Sequence, residues 1–442
     1  MYRQPYHISR GVRITIMLSL ISAFLISAPL LIAYTSGYRY SFDEGLISKG
    51  SLSVTAKPID ATIFVNNIAI DQEGGLENRD KAAISMDTLA AGMYDVRIER
   101  DGYLPFEKTI DVRSNEASYV RDLTLFIDTQ FEQVEDVSSY DYVQLTKQAP
   151  ALLLQEGATW HTKLPGQGAS HRQGKFADPV ILHTHPSLQA AVLLDTSNAP
   201  SSTRAVVAGF NGLQPTAYTI PTALTDTADV HWSGNSDTLY VRASSTVYAI
   251  SHDSFTQVGV TTATEWFVDV NNVLWEQQER TLVQTKDKET TRFLPSTTVQ
   301  PIDVNEARVI LQGAKSVYVS LHTASEQITQ IPTQGLLFDA DKNLWYTWSE
   351  FEVFSIDGNG TIKPLYRSSQ EIHDIAILDE YGVIGIASAN GVSAFHTRYL
   401  TSHTLISGQS VSMISADIAG RVLYAIEENA EQGTKSLIKR RY

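Results

Sequence analysis

The chain has 442 residues, no cysteine, and 49 Asp and Glu against 34 Lys and Arg, a formal charge of −15. Without thiols there is no disulfide, thiolate metal site or thiol nucleophile. All 49 acids lie from Asp43 onward with 30 of the basic residues, so this part carries −19 and as a whole repels phosphate backbones and anionic headgroups, which argues against a nucleic-acid partner.

Residues 1–13 form a short arm, and residues 14–34, ITIMLSLISAFLISAPLLIAY, predict a single transmembrane helix. No charge occurs from Ile14 to Tyr38, and 21 residues at the helical rise cover about 30 Å, the thickness of a hydrocarbon core. Ile14, Leu18, Phe24, Leu31 and Tyr34 mark the expected membrane anchor. The competing reading is a cleaved signal peptide, whose site would be Thr35-Ser36-Gly37; the apolar stretch is longer than such peptides use. Arg3, Arg10 and Arg13 precede the helix with no acid among them, whereas Arg39 and Lys49 follow it beside Asp43 and Glu44. That bias predicts a cytoplasmic amino terminus and an extracytoplasmic remainder.

After a polar spacer at 35–49, residues 50–126 switch to a period of two: Leu52 and Val54, Ile63 and Val65, Val96 and Ile98, Ile110 and Val112. Half-buried antiparallel strands follow. Asn66-Asn67 and Asp101-Gly102 supply turns that need positive φ. The runs GSLSVTAKPIDATIFVNN and LAAGMYDVRIERDGYLPFEKTIDV resemble the PEGA domain. Pro58-Ile59-Asp60-Ala61 stands at the naming tetrapeptide, of which Pro and Ala match, and Leu89, Gly92-Met93-Tyr94 and Asp101-Gly102-Tyr103 keep the later signature. The resemblance implies a small β-sandwich that serves as an envelope module for packing or binding and brings no catalytic residues. An insert, DQEGGLENRDKAA, occupies the place of a short glycine turn.

Residues 127–442 show short strands between Gly, Asn, Asp, Ser and Pro clusters. An acidic or Gly-containing turn leads repeatedly into an apolar-aromatic pair near Tyr240, Trp275, Tyr318, Trp345, Ile384 and Tyr424, in steps of 27 to 43 residues. This period predicts a β-propeller-like domain of about seven blades, with the aromatic positions as packing between blades. The fold class is therefore all-β behind a single helix.

No catalytic or cofactor-binding residue is assigned, since no Gly-x-Ser-x-Gly occurs and Gly174-Lys175-Phe176 lacks a phosphate-loop pattern. Two metal readings are weak: His183 with His185 on one strand face, near His161 and His171 in a long Gly-rich loop, and a calcium-type spacing at Asp339, Asp341 and Glu350. The second is disfavoured because Leu344 replaces the required glycine, which points to a blade turn. Expected partners are the cell membrane and an envelope protein or glycan. The function expected is non-catalytic binding or scaffolding at a prokaryotic cell envelope; the alternatives are a propeller-type hydrolase or lyase acting on envelope polysaccharide, and a sensor subunit.

Overall fold

The computed structural model describes residues 9–35, 38–41, 45–71, 80–147, 150–157, 159–166, 171–175, 180–184, 190–195, 204–209, 229–232, 238–251, 254–269, 272–278, 281–285, 292–293, 299–304, 307–321, 328–429 and 432–442. The chain divides into two compact units, Met1–Asp128 and Thr129–Tyr442.

In the first unit, helix α1 (Arg10–Thr35) has no buried residue. Its hydroxyls return to its own backbone: Thr15 donates to the Gly11 carbonyl, Ser19 to Ile16 and Thr35 to Leu31. Such bonding keeps polar side chains satisfied where water is absent. Two four-stranded sheets follow. One joins β1 (Tyr38–Ser41), β2 (Gly45–Lys57), β5 (Ala82–Ala90) and β8 (Ala117–Thr124); the other runs β4 (Ile68–Ile70), β3 (Thr62–Val65), β6 (Gly92–Glu99), β7 (Phe106–Val112).

The period of two becomes a core here. Leu52, Val54 and Ala56 of β2 are fully buried, as are Ile63 and Ile98 from the other sheet, while Ser51, Ser53 and Thr55 between them stay half-buried. Asn66 and Asn67 take φ of 50° and 65° between β3 and β4, and Gly102 takes 78°. Two features differ from the sequence expectation. Within the span read as a polar spacer, Tyr38–Ser41 pairs antiparallel with the start of β2, Tyr38 opposite Ser48 and Ser41 opposite Gly45; Tyr38, Tyr40, Leu46 and Ile47 are strand formers. One pair, β2 with β8, is parallel, as the long separation in sequence between them allows. Part of the acidic insert, 72–79, lies outside the described residues.

Among the described residues the second unit holds eight sheets, where the sequence suggested about seven blades. They span 142–175, 180–209, 229–260, 266–293, 300–332, 335–367, 372–407 and 411–441 and are numbered blades 1 to 8 here. Consecutive strands pair antiparallel within each, and the last is completed from the other end of the unit by β9 (Glu132–Asp136). Apolar clusters draw on consecutive blades: Tyr240 and Val247 with Trp266 and Val268, and Trp348 and Val353 with Ile375 and Ile384. Val143 and Leu152 pack with Ile426 and Leu437, joining the first blade to the eighth. A sheet apolar on both faces, stacked between two others and closed on itself, is the propeller arrangement.

The segment read as a Gly-rich loop contains a hairpin instead, Thr159 opposite Lys175 and Thr162 opposite His171. Pro165 and Gly166, at φ 75°, form part of the turn between its strands.

Candidate functional site

The first-to-second-strand hairpins explain the acidic turns of the repeat. Each aspartate at the end of a first strand accepts backbone N–H groups of its own turn. Asp269 accepts Val273 N at 3.0 Å, Asp339 accepts Lys342 N at 3.2 Å, and Asp417 accepts Gly420 N at 2.9 Å. Asp379 accepts three, from Tyr381, Gly382 and Val383. Burial nevertheless pushes the Asp379 carboxyl above its ordinary value, outweighing these donors. Short acidic side chains suit this task because their oxygen reaches amides two to four residues on.

Two further aspartates join blades. Asp303 accepts Arg308 Nη2 at 2.7 Å and, from the next blade, Trp345 Nε1 at 2.9 Å. All three side chains are buried, Arg308 completely. Asp374 accepts Ile375 N and, from the eighth blade, Ile414 N, each at 2.9 Å; Lys147 of the first blade pairs with the same carboxylate. His373 Nδ1 meets the Val411 carbonyl at 2.8 Å across the same joint. These six carboxylates therefore hold the ring's framework.

A different chemistry occurs on the open face of the first unit. Asn67, Asp95, Arg97, Glu107, Lys108 and Thr109 line an open groove of about 540 Å³. Arg97 stands opposite Glu107 and Asp95 opposite Thr109 across β6 and β7. Asp95 accepts Thr109 Oγ1 at 2.7 Å, and the Arg97 guanidinium lies 4.5 Å over the Phe64 ring. Such alternating donors and acceptors suit a peptide backbone or a polyhydroxyl ligand better than a single strong charge.

The sequence candidates fall as follows. Ile14, Leu18, Phe24, Leu31 and Tyr34 are all exposed on α1, and the helix is long and apolar enough to cross a membrane. Asp339 is 3% exposed, with Oδ2 3.0 Å from Lys342 Nζ. Asp341 lies in the turn, but Glu350 follows the strand Leu344–Trp348. Five strand residues put Glu350 roughly 16 Å from that turn, so the three acids form no common site. His183 lies on the strand Val180–Thr184, with a side chain outside the description, and His185 lies outside the described residues. Among the described residues no three His, Asp or Glu side chains converge on a metal-sized position.

Sequence reasoning missed Arg308, Asp303, Asp374 and Lys147. It also misplaced two repeat positions, Tyr424 by one residue and Tyr318 by a whole strand. Tyr318 sits on the third strand of its blade, and the residue matching Tyr240, Trp275, Trp345 and Ile384 is Val309. At the first position of the pair, Leu239, Leu274, Leu344, Val383 and Val422 are aliphatic and Arg308 is not. With Val309 restored and Leu423 as the last, the steps run from 34 to 39 residues.

Residues 49–125 match the PEGA domain family. Among solved structures the chain is similar to the C-terminal WD40 domain of Sif2, at 9% identity and a TM-score of 0.39, over 71% of this chain and 99% of that one. It is also similar to BBS1N in complex with ARL6DN (13%, 0.37, over 70% and 96%) and to Kluyveromyces lactis Hsv2 (8%, 0.32, over 46% and 71%). No curated protein matches the chain. The propeller-like reading rests on the sheet order and closure above.

Proposed function

We propose that the chain is a non-catalytic, single-pass, membrane-anchored binding or scaffold protein of a prokaryotic cell envelope. Its amino terminus is cytoplasmic, both β units are extracytoplasmic, and a protein or glycan is recognised through the propeller-like unit. The observation that carries this reading is the engagement of Asp269, Asp303, Asp339, Asp374, Asp379 and Asp417 in turns and blade joints. These six carboxylates, on described residues, serve the frame rather than acid–base chemistry, which supports recognition through the turns between strands. The PEGA match and the fully exposed apolar helix support the envelope setting.

The test is made on full-length protein in its own membranes. Alkaline carbonate should leave it in the bilayer fraction, and Leu25→Arg, a charge at mid-helix, should release it. Protease added to spheroplasts should remove the propeller-like unit, and cross-linking before lysis should attach an envelope protein or a wall glycan to it. Protection of that unit in sealed spheroplasts overturns the orientation; hydrolysis of a defined envelope polysaccharide by the purified chain overturns the non-catalytic role.

A further inference from the structure

Turns in the second unit repeatedly need a residue at positive φ, and most fill that place with glycine or asparagine. Asn343 stands four residues after Asp339 at φ 48°, and Gly360 and Gly433 serve other turns at 80° and 64°. Ser244 of blade 3 departs from this habit with a small side chain at 53°, and one turn in each of blades 7 and 8 departs with a large one. Arg421, four residues after Asp417, adopts 51°, and Leu400 adopts 54°. The Leu400 amide bonds the His396 carbonyl four residues back at 2.8 Å, the same closure that Gly433 makes to Asn429. A branched side chain at positive φ is uncommon and points to a role for what it displays. Leu400 is 61% exposed.

These side chains form one surface. The turns 379–382 and 397–400 lie at the same end of their blade, because successive antiparallel strands alternate in direction. Thr397 N and Oγ1 both bond the Gly382 carbonyl, at 3.0 and 2.7 Å. Tyr442 ties in the turn of the next blade: its hydroxyl bonds Leu378 O at 2.7 Å and its amide bonds Arg421 O at 3.1 Å. The tips present Tyr381, Leu400 and Ile418, all exposed, with Arg398, Arg421 and Arg441 around them. Glu380 is the exposed acid of the three turns. Thr129, the first residue of this unit, bonds Arg441 O at 3.0 Å.

From this geometry we infer that the turns of blades 7 and 8 dock on an anionic lipid surface, apolar tips in the interface and arginines on headgroup phosphates. The inference rests on the anchored reading above. Lipid is favoured over a protein partner because the anchor keeps a bilayer at high local concentration, where weak contacts suffice. Apolar tips ringed by cations match an anionic interface, whereas the chain after the helix, at −19, is otherwise acidic.

The absence of cysteine makes a single-label test clean. Full-length Ala419→Cys, with an environment-sensitive fluorophore beside Ile418, is assembled in nanodiscs of phosphatidylcholine with or without 30% phosphatidylglycerol, each carrying doxyl-labelled lipid. The anionic discs should quench the probe at least twofold more than the neutral ones. A probe at Asn390→Cys, in a turn at the opposite end of blade 7, should be unaffected. Leu400→Gly should at least halve the quenching while the thermal transition stays equal or rises, since glycine relieves the backbone. Equal quenching at 390 and 419, or none in discs that demonstrably hold the chain, overturns the lipid surface. Fluorophore self-quenching that grows with protein concentration and ignores lipid composition assigns the surface to a second copy and equally overturns it. Chain that fails to float with the discs identifies failure of the anchored reading instead, and the lipid surface falls with it.

Discussion

Gly102 and His396 show how single residues carry backbone and pH demands. Gly102 turns the chain at φ 78°, and a Cβ there would meet nothing within 4 Å, so any penalty for a side chain is backbone strain alone. Gly102→Val should therefore destabilise the PEGA unit by about 1 to 3 kcal/mol, read as earlier amide exchange of β6 and β7. An unchanged exchange profile would contradict it. His396, 5% exposed, stands with His403 at a ring separation of 5.6 Å. Burial, then the neighbouring His403, pushes its pKa down to about 3, and burial lowers that of His403 as well. Because the unfolded imidazole takes its proton near pH 6.5 and the folded one resists it until about 3, the unfolded state binds more protons between these values. The stability that neutral His396 contributes is thus fully present above pH 6.5 and declines as pH falls through this window, by about 2 kcal/mol at pH 5. Amide exchange over 391–407, corrected for intrinsic rates, should accelerate from pH 7 to pH 5, and His396→Gln should flatten the dependence.

At the scale of strands and hairpins, periodicity made most of the fold legible and one substitution hid part of it. Leu52, Val54, Ile63, Val65, Val96 and Ile98 could be read as inward because alternation reports a face directly, and all six are buried. Tyr240, Trp275, Trp345 and Ile384 could be read as blade packing for a similar reason. Blade 5 escaped because Arg308 occupies an aliphatic position, and a charge there reads as surface. Its partner explains the exception: Asp303 lies five residues away across a hairpin and also receives Trp345 of the next blade. Contacts across blades have no signature in one chain's spacing, so neither Asp303 nor the Asp374–Lys147 pair could be anticipated. The pair energetics are testable. Arg308→Leu restores the aliphatic residue of the sibling blades yet leaves the Asp303 charge buried with one neutral donor, which should cost about 3 to 5 kcal/mol. Adding Asp303→Asn should recover part of that loss, and a double-mutant cycle on the thermal transition measures the coupling. Additive effects would show that the two side chains act independently.

For the whole molecule, the apolar helix was the most legible feature, since length and lack of charge suffice to define it, whereas the closure of the second unit was invisible because it joins residues some 300 positions apart. Two devices make that closure. β9 pairs with the strand Thr434–Arg441, and Val143 and Leu152 of the first blade pack with Ile426 and Leu437 of the eighth. Neither is covalent, so opening at this joint is the expected first step when the ring unfolds. Glu132 and Lys439 face each other in the ladder, with an exposed ion pair at 2.6 Å. Directly opposed antiparallel residues have the Cα separation a disulfide requires, and an exposed ion pair contributes little when removed. Glu132→Cys with Lys439→Cys should therefore form a bridge closing a loop of about 300 residues, which in the chain-entropy model stabilises by roughly 6 kcal/mol. If rupture at the joint comes first, the oxidised variant should unfold much more slowly in denaturant, followed by tryptophan fluorescence, and a reductant should restore the parental rate. Equal rates in the two redox states would mean that the ring breaks between other blades first.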